Sequence, residues 1–167
     1  MAKTPVEIYK ETEDVLFARY GDKDDGVIIY IDYKSYDPSI SYFVEFEKVI
    51  VKNVNKSVYK SSVWRNDNSI GGIVKHIFFD ILFEFNGSIC SDSLQTKEGM
   101  KMWKTQLANA VEQGYYVGLW DSFDQEIDWF EPEKEKYKQW TDRVYDFAWD
   151  KTPEKDSYRF FISKTKI

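Results

Sequence analysis

The chain of 167 residues is poor in the residue types that most often bind metals or act as nucleophiles. It contains one histidine, His76, and one cysteine, Cys90. A single cysteine excludes an internal disulfide, and one residue of each type is too few for a zinc site. A catalytic triad would have to use His76, and the sequence indicates no partner for it. We therefore expect no metal, and we interpret His76 as structural or exposed and Cys90 as a packing residue.

Long apolar runs and clusters of basic residues are also missing from the sequence. Without an apolar run, we expect neither secretion nor a membrane span. Phosphate contacts need clustered Lys and Arg, so direct binding of nucleic acid is not expected. The low cysteine content suits a reducing cytoplasm, which is the compartment that we predict.

The most informative part of the chain lies between residues 69 and 120. Ser69 can cap a helix whose apolar residues recur at intervals of three and four, and Asn86-Gly87 can end it. This spacing predicts an amphipathic helix over residues 69–85. Its apolar stripe comprises Ile70, Ile73, Val74, Ile77, Phe78, Ile81, Leu82 and Phe85.

A second helix follows a short buried strand at Ile89 and Cys90. Thr96 is its best cap and Gly114 ends it. Its predicted inner face comprises Met100, Trp103, Leu107, Ala110 and Val111. Residues 115–120 then form a strand. Two strands joined by one helix over so few residues are most simply parallel, with a right-handed crossover.

The N-terminal part of the chain predicts a helix followed by antiparallel strands. Thr4-Pro5 is a suitable helix start, and Tyr20-Gly21 a suitable end. Four apolar or alternating segments follow at residues 27–33, 41–46, 49–54 and 57–64. Turn formers or the charged pair Glu47-Lys48 separate them, which favours an antiparallel meander. Residues 158–163 supply the last predicted strand.

This order of elements, with Gly71-Gly72 opening the central helix after a long strand, resembles the GNAT-type N-acetyltransferase fold. The resemblance covers about residues 27–120 and the final strand. The run from Ile89 to Trp103 is also similar to a divergent GNAT-like group found in phages and mobile elements. The resemblance implies one α/β (α+β) domain over residues 1–167. In it, an antiparallel N-terminal meander precedes helix, strand, helix and strand in a mixed central sheet.

The resemblance also indicates where a cofactor would bind. In GNAT enzymes a Q/R-x-x-G-x-G/A turn holds the pyrophosphate of coenzyme A on backbone N–H groups. The corresponding residues here are Asn68, Ser69, Gly71 and Gly72. Asparagine replaces the glutamine or arginine, and Ile73 replaces the last small residue. We therefore expect no cofactor, and acetyl-CoA only if the chain is an active N-acetyltransferase.

Four residues are candidates for a catalytic role in such an enzyme. Asp92 and Gln95 follow a strand, where open α/β sheets bind ligands. The alternative is that Asp92 and its neighbours close a turn and cap the next helix. Tyr115 and Tyr116 could offer a phenol as general acid, or they could simply be strand residues.

The charge of the chain is concentrated near its C-terminus. Residues 121–156 contain twelve acids and six bases, so they carry the whole net charge of −6. Within them, Tyr137, Trp140, Val144 and Phe147 or Ala148 are spaced for a helix with one apolar face. A plain GNAT fold joins its last two strands more briefly. Residues 121–157 therefore look like an insertion, which we call the acidic insertion.

Two interpretations of the acidic insertion remain open. In the first, the aromatic face of its helix packs on the sheet and its acidic face is solvated. In the second, the insertion contacts a protein partner, one with a basic surface included. The residues predicted for such contact are Trp129, Phe130, Glu131, Glu133 and Glu135.

We hypothesise that the chain is a phage or mobile-element accessory protein in the host cytoplasm, which binds and modulates a host or defence protein. The alternative is an acyl-CoA-dependent N-acetyltransferase acting on an amine of a protein or small molecule. The altered coenzyme turn ranks the enzyme second.

Overall fold

A computed structural model describes residues 4–34, 40–51, 54–65, 71–91, 97–121, 123–149 and 158–165. The N-terminal quarter of the chain forms a meander of strands. Strands β1 (Glu7–Glu11), β2 (Val15–Gly21) and β3 (Asp25–Asp32) pair antiparallel in sequence order. The predicted helix from Thr4 to Gly21 is therefore wrong. Residues 15–20 alternate between two sheet faces, and β-branched and aromatic side chains favour such strands.

Two tight turns fix this meander. Thr12 Oγ1 accepts the backbone N–H groups of Asp14 and Val15, both at 3.1 Å, between β1 and β2. Gly21 begins the next turn with a φ of +80°, and a Cβ there would lie 2.6 Å from the Asp25 carbonyl oxygen. Only glycine fits this conformation and this close approach without strain.

The meander continues through two long strands, β4 (Ile40–Val51) and β5 (Val54–Arg65). The predicted break at Glu47-Lys48 is wrong, because both residues lie within β4 opposite Tyr59 and Val58. Their side chains are exposed, so the strand carries two charges without burying either.

Helix α1 follows β5 and consists of three consecutive segments that differ in their helical hydrogen-bonding pattern. Gly71–His76 is α-helical, Ile77–Leu82 is π-helical, and Phe83–Asn86 is α-helical again. The helix ends at Gly87, whose φ is +76°, as predicted. The predicted stripe is buried from Val74 to Leu82. Phe79 and Phe83 are buried as well, with ring centroids 5.7 and 5.1 Å from that of Tyr115.

The remaining elements are strand β6 (Ser88–Cys90), helix α2 (Lys97–Glu112), strands β7 (Tyr116–Asp121) and β8 (Glu126–Trp129), helix α3 (Tyr137–Trp149) and strand β9 (Tyr158–Ser163). Trp103, Leu107 and Ala110 of α2 are fully buried, as predicted. Strand β8 was not predicted. None of the helices traced in the described ranges has the length and apolar character that crossing a bilayer requires.

The nine strands form one mixed sheet in the order β1-β2-β3-β4-β5-β6-β9-β7-β8. Among the described pairs, only β5 and β6 run parallel, with Val58 opposite Ile89 and Tyr59 opposite Cys90. Strands β6 and β7, which flank α2, run in the same direction as predicted, but β9 lies between them and pairs antiparallel with both. The chain therefore belongs to the mixed α+β class.

The core lies on one face of this sheet, which we call the helical face. Side chains from all three helices pack there against Phe17, Phe46, Phe160 and their neighbours. The opposite face, which we call the open face, carries no helix in the described part of the chain. Its buried cluster is small and comprises Cys90, Trp120 and Phe161.

Candidate protein-binding surface

The acidic insertion begins as a hairpin whose turn exposes an aromatic ring. Strands β7 and β8 pair antiparallel, with Asp121 opposite Glu126. Asp121 Oδ1 accepts the backbone N–H of Phe123 at 2.9 Å, and Gln125 adopts a φ of +58°. This local bonding holds Phe123 outward, with 86% of its surface exposed. We call Asp121, Phe123, Asp124 and Glu126 the acidic turn.

The carboxylates of the acidic turn lie close enough to influence one another. The charge of Asp121 is the main cause that raises the pKa of Asp124, and Glu126 adds to it. The pKa of Tyr158 is raised mainly by burial and then by the charges of Asp121 and Asp124. The turn is therefore a concentrated source of negative potential. It borders a cavity of about 470 Å³ on the helical face.

The predicted contact residues Trp129 and Phe130 lie on opposite sides of the sheet. Phe130 is only 7% exposed. Its N–H donates to the Val117 carbonyl at 2.9 Å, and its ring packs against Tyr137 and Trp140. Its assignment to an exposed contact surface is therefore corrected, because β8 ends there and the chain turns into the core.

Trp129 instead lies on the open face, half-buried. Its ring centroid is 5.8 Å from that of Phe161 and 6.4 Å from that of Tyr116, in edge-to-face geometry. Tyr116 is itself 40% exposed. These aromatic rings make one accessible patch at the end of the β7–β8 hairpin away from the acidic turn, because Tyr116 begins β7 and Trp129 lies opposite Gly118.

The three predicted glutamates differ in the charge that they leave available. Glu131 pairs with Lys134 at 2.7 Å, and Glu135 pairs with Arg143 at 2.7 Å. Arg143 also pairs with Asp128 of β8, so it ties α3 to the hairpin. Glu133 is exposed. The negative surface is therefore centred on the acidic turn rather than on these three residues.

Sequence reasoning missed the acidic turn, although a signal was present. Residues 121–126 contain three acids and one aromatic residue in a short polar run. A turn of this composition is typical of a hairpin tip, where an apolar ring has nothing to pack against.

The aromatic helix of the acidic insertion packs as its first interpretation proposes. Trp140 is fully buried and Val144 is 2% exposed. Trp140 contacts Phe160 of β9 with ring centroids 6.2 Å apart. Phe147 and Ala148 lie outside the described side chains. Helix α3 is therefore a core element on its aromatic side, while Lys138, Asp142 and Arg143 on its other side are exposed.

The catalytic candidates do not converge within the described residues. The ring of Tyr115 stacks on Phe79 in the core, whereas Tyr116 lies on the open face. Asp92 and Gln95 lie outside the described residues. His76 Nδ1 lies 2.6 Å from Asp80 Oδ2 on the exposed side of α1. No group of three potential metal ligands occurs in the described ranges.

The predicted coenzyme turn is described only in part. Asn68 and Ser69 lie outside the described residues, and Gly71 is the first residue of α1. Gly72 is exposed, and a Cβ there would meet nothing within 4 Å. It borders a cavity of about 460 Å³ between α1 and α2. Lys75 and Lys101 line this cavity from the two helices, so its charge suits an anion.

Comparisons with protein families, with curated proteins and with solved structures found no match to this chain.

Proposed function

We propose that this chain is a GNAT-like accessory protein of phage or mobile-element type, which works in the host cytoplasm. It binds and modulates a host or defence protein through the acidic turn and through the aromatic patch at the other end of the same hairpin. The observation that carries the proposal is Phe123, which is 86% exposed between carboxylates. A large apolar ring gains nothing from this position in the free protein, whereas burial in a partner stabilises a complex.

The rest of the β7–β8 hairpin supplies the other parts of a binding site. Trp129 and Tyr116 offer aromatic side chains, which are enriched among the residues that dominate binding energy. Asp121, Asp124 and Glu126 supply a negative field that accelerates encounter with a basic partner. A partner with a hydrophobic pocket rimmed by Lys or Arg fits this arrangement.

The topology supports the GNAT-like part of the proposal. A helix opened by Gly71-Gly72 connects the long strand β5 to β6, and these two strands pair parallel. The resemblance found in the sequence implies the same combination. The acidic insertion then lies between β7 and β9, which are adjacent in the sheet.

The test compares partner capture by three forms of the tagged protein in a host lysate. Phe123→Ala should remove a specific bound protein that the wild type retains. Tyr33→Ala is the matched control, because Tyr33 is also exposed, at 48%, but lies at the end of β3. It should retain the same partner. The purified partner should then bind more slowly to Asp124→Asn/Glu126→Gln, with the difference shrinking at high salt. An identical set of bound proteins for all forms would refute the proposed surface.

A second candidate function, acyl-CoA-dependent N-acetyltransferase, is favoured by the cavity between α1 and α2. Lys75 and Lys101 give it positive charge, and it begins at Gly72, within the predicted coenzyme turn. Phosphate groups of coenzyme A would suit these cations and the N-terminal end of α1.

Isothermal titration with acetyl-CoA distinguishes the two functions. The accessory-protein proposal expects no binding at micromolar concentrations. One-to-one binding that Lys75→Glu/Lys101→Glu abolishes would place the enzyme first. Lys138→Glu/Lys164→Glu is the control of equal charge change on exposed residues outside this cavity.

A further inference from the structure

Strand β8 lies at one end of the strand order, so one of its two edges has no neighbouring strand among the described residues. Phe130 N–H donates to the carbonyl of Val117, which lies directly opposite it on β7. Because backbone groups alternate in direction along an antiparallel strand, those of Asp128 also point to β7. The N–H and C=O groups of Ile127 and Trp129 therefore point away from the sheet. No backbone group in the described ranges pairs with them.

The side chains of β8 divide into an apolar set and an acidic set. Ile127 and Trp129 pack against the small buried cluster of the open face. Asp128 pairs with Arg143 of α3, so it projects from the helical face. Glu126 lies two residues away and projects from the same face. Both acids are exposed, whereas the two apolar residues are half-buried. A strand beside β8 would therefore meet acids on one of its faces and apolar side chains on the other.

The hairpin does not neutralise its own acidic side chains. Residues 121–130 contain four acids and no base. Asp128 shares Arg143 with a second carboxylate, that of Glu135. Glu126 forms no ion pair with a described residue. Negative charge of this kind at an exposed sheet edge favours a basic partner.

We propose that β8 binds an extended segment of the partner protein as an additional antiparallel strand, in which Lys or Arg alternates with apolar residues. The inference rests on the function proposed above and names the kind of segment that the hairpin binds. Apolar residues of the segment lie opposite Ile127 and Trp129 and exchange backbone hydrogen bonds with them. Its basic residues lie opposite Glu126 and Asp128. In this mode of recognition, backbone bonds supply affinity and the alternate side chains supply specificity.

A second copy of this chain fits the same edge poorly. Antiparallel pairing of two β8 strands about a twofold axis keeps like faces together. It then places Glu126 of one copy opposite Asp128 of the other, or Asp128 opposite Asp128. Like charges directly opposite each other destabilise a strand pair, whereas a basic segment makes favourable pairs at both positions.

The first test uses a labelled synthetic peptide of about seven residues in which lysine and valine alternate. Fluorescence anisotropy measures its binding to the full-length protein. The valine N–H groups face β8 in the proposed pairing, and the lysine N–H groups face away from it. N-methylation of three valines should therefore weaken binding at least about tenfold, because it removes donors and blocks the approach. N-methylation of three lysines is the matched control and should change binding less than about twofold.

A pair of charge reversals tests the acidic set. Glu126→Lys should weaken peptide binding at least about fivefold, since it places like charges opposite each other. Glu84→Lys makes the same change of net charge at an exposed position on α1 and should change binding less than about twofold. Equal binding of the two N-methylated peptides, equal loss from the two charge reversals, or no binding by the wild type at about 1 mM peptide would overturn the inference.

Ile127→Pro separates this inference from the proposed function. It removes one outward N–H of β8, a position where an edge strand tolerates proline, and it leaves Phe123 in place. Ile127→Thr is its control, because it keeps both the N–H and a β-branched side chain. Loss of the captured host protein from Phe123→Ala and Ile127→Pro, but not from Ile127→Thr, supports both proposals.

The other outcomes of this capture experiment are also decisive. Loss from Phe123→Ala with retention by Ile127→Pro overturns the inference and leaves the proposed surface standing. Retention by both variants overturns both proposals. Sedimentation of the wild type as a dimer that Ile127→Pro dissociates would also overturn the inference, because the strand added to β8 would then belong to a second copy.

Discussion

Trp140 gives the sharpest test of how the acidic insertion is attached to the sheet. Its side chain is fully buried. Its ring centroid lies 6.0 to 6.2 Å from those of Phe130, Tyr137 and Phe160. An indole that buries about 200 Å² contributes about 5 kcal/mol at about 25 cal/mol per Å². Trp140→Ala should therefore lower the free energy of unfolding substantially.

The buried indole nitrogen of Trp140 reduces the loss of stability that we expect from this substitution. Trp140 Nε1 is buried and has no hydrogen-bond partner among the described residues. Burial of an unsatisfied N–H costs about 1–3 kcal/mol, and the alanine variant is relieved of that cost. We expect a net loss of about 2–4 kcal/mol, which reaches the usual range for truncation of a buried tryptophan. For a chain of this length, this lowers Tm by about 4–16 °C.

Urea unfolding followed by far-ultraviolet circular dichroism measures this loss without relying on the removed fluorophore. Trp140→Phe should cost much less, because it keeps an aromatic ring and removes the unsatisfied N–H. Phe123→Ala, in the same insertion but exposed, should change stability by less than about 0.5 kcal/mol. A loss below about 1 kcal/mol for Trp140→Ala would show that α3 does not pack on β9 as described.

Three further predictions concern α1, a turn and the acidic turn. Ile77→Ala should cost about 2–5 kcal/mol by cavity formation, whereas the exposed Lys75→Ala should cost little. Equal midpoints in urea would contradict that difference. Gly21→Ala should destabilise more than Gly114→Ala, because both have positive φ but only Gly21 would bring its Cβ against a backbone carbonyl. Similar melting temperatures would argue against the close approach. Asp124→Asn should stabilise the protein at pH 7, since a neighbouring carboxylate raises the pKa of Asp124 in the folded state. That gain should shrink as the pH falls through the raised pKa of Asp124 and be lost below about 4, where Asp124 is protonated in both the folded and the unfolded protein. A constant gain across this range would contradict the electrostatic cause.

The sequence predicted the central part of the fold well because its signals are local. The stripe from Val74 to Leu82 needs only helical periodicity, and the exits at Gly87 and Gly114 need only a residue that tolerates positive φ. The same reasoning failed for residues 4–21. There, a proline near the start favoured a helix, but residues 15–20 alternate between two faces and pair with β3, so they form a strand. A local sequence pattern does not show whether a segment pairs with another strand.

The candidate surface was predicted only in part. Trp129 is accessible as expected, whereas its neighbour Phe130 is buried, and the glutamates that follow are partly engaged in ion pairs. The sequence alone predicts that Trp129 and Phe130 point to opposite faces of their strand, but the position of α3 determines which of the two is covered. The acidic turn was missed for the same reason, since its exposure follows from the pairing of β7 with β8.

The sequence by itself determined the short strand β6, the buried faces of α1 and α2, and the concentration of negative charge in one segment. The tertiary structure alone decided that all three described helices cover one face of the sheet. It also decided that Tyr116 and Trp129 remain accessible on the other face. The physical reason is that the side chains of any strand alternate between the two faces of its sheet. Only the packing of elements distant in sequence determines which of those faces remains in contact with solvent.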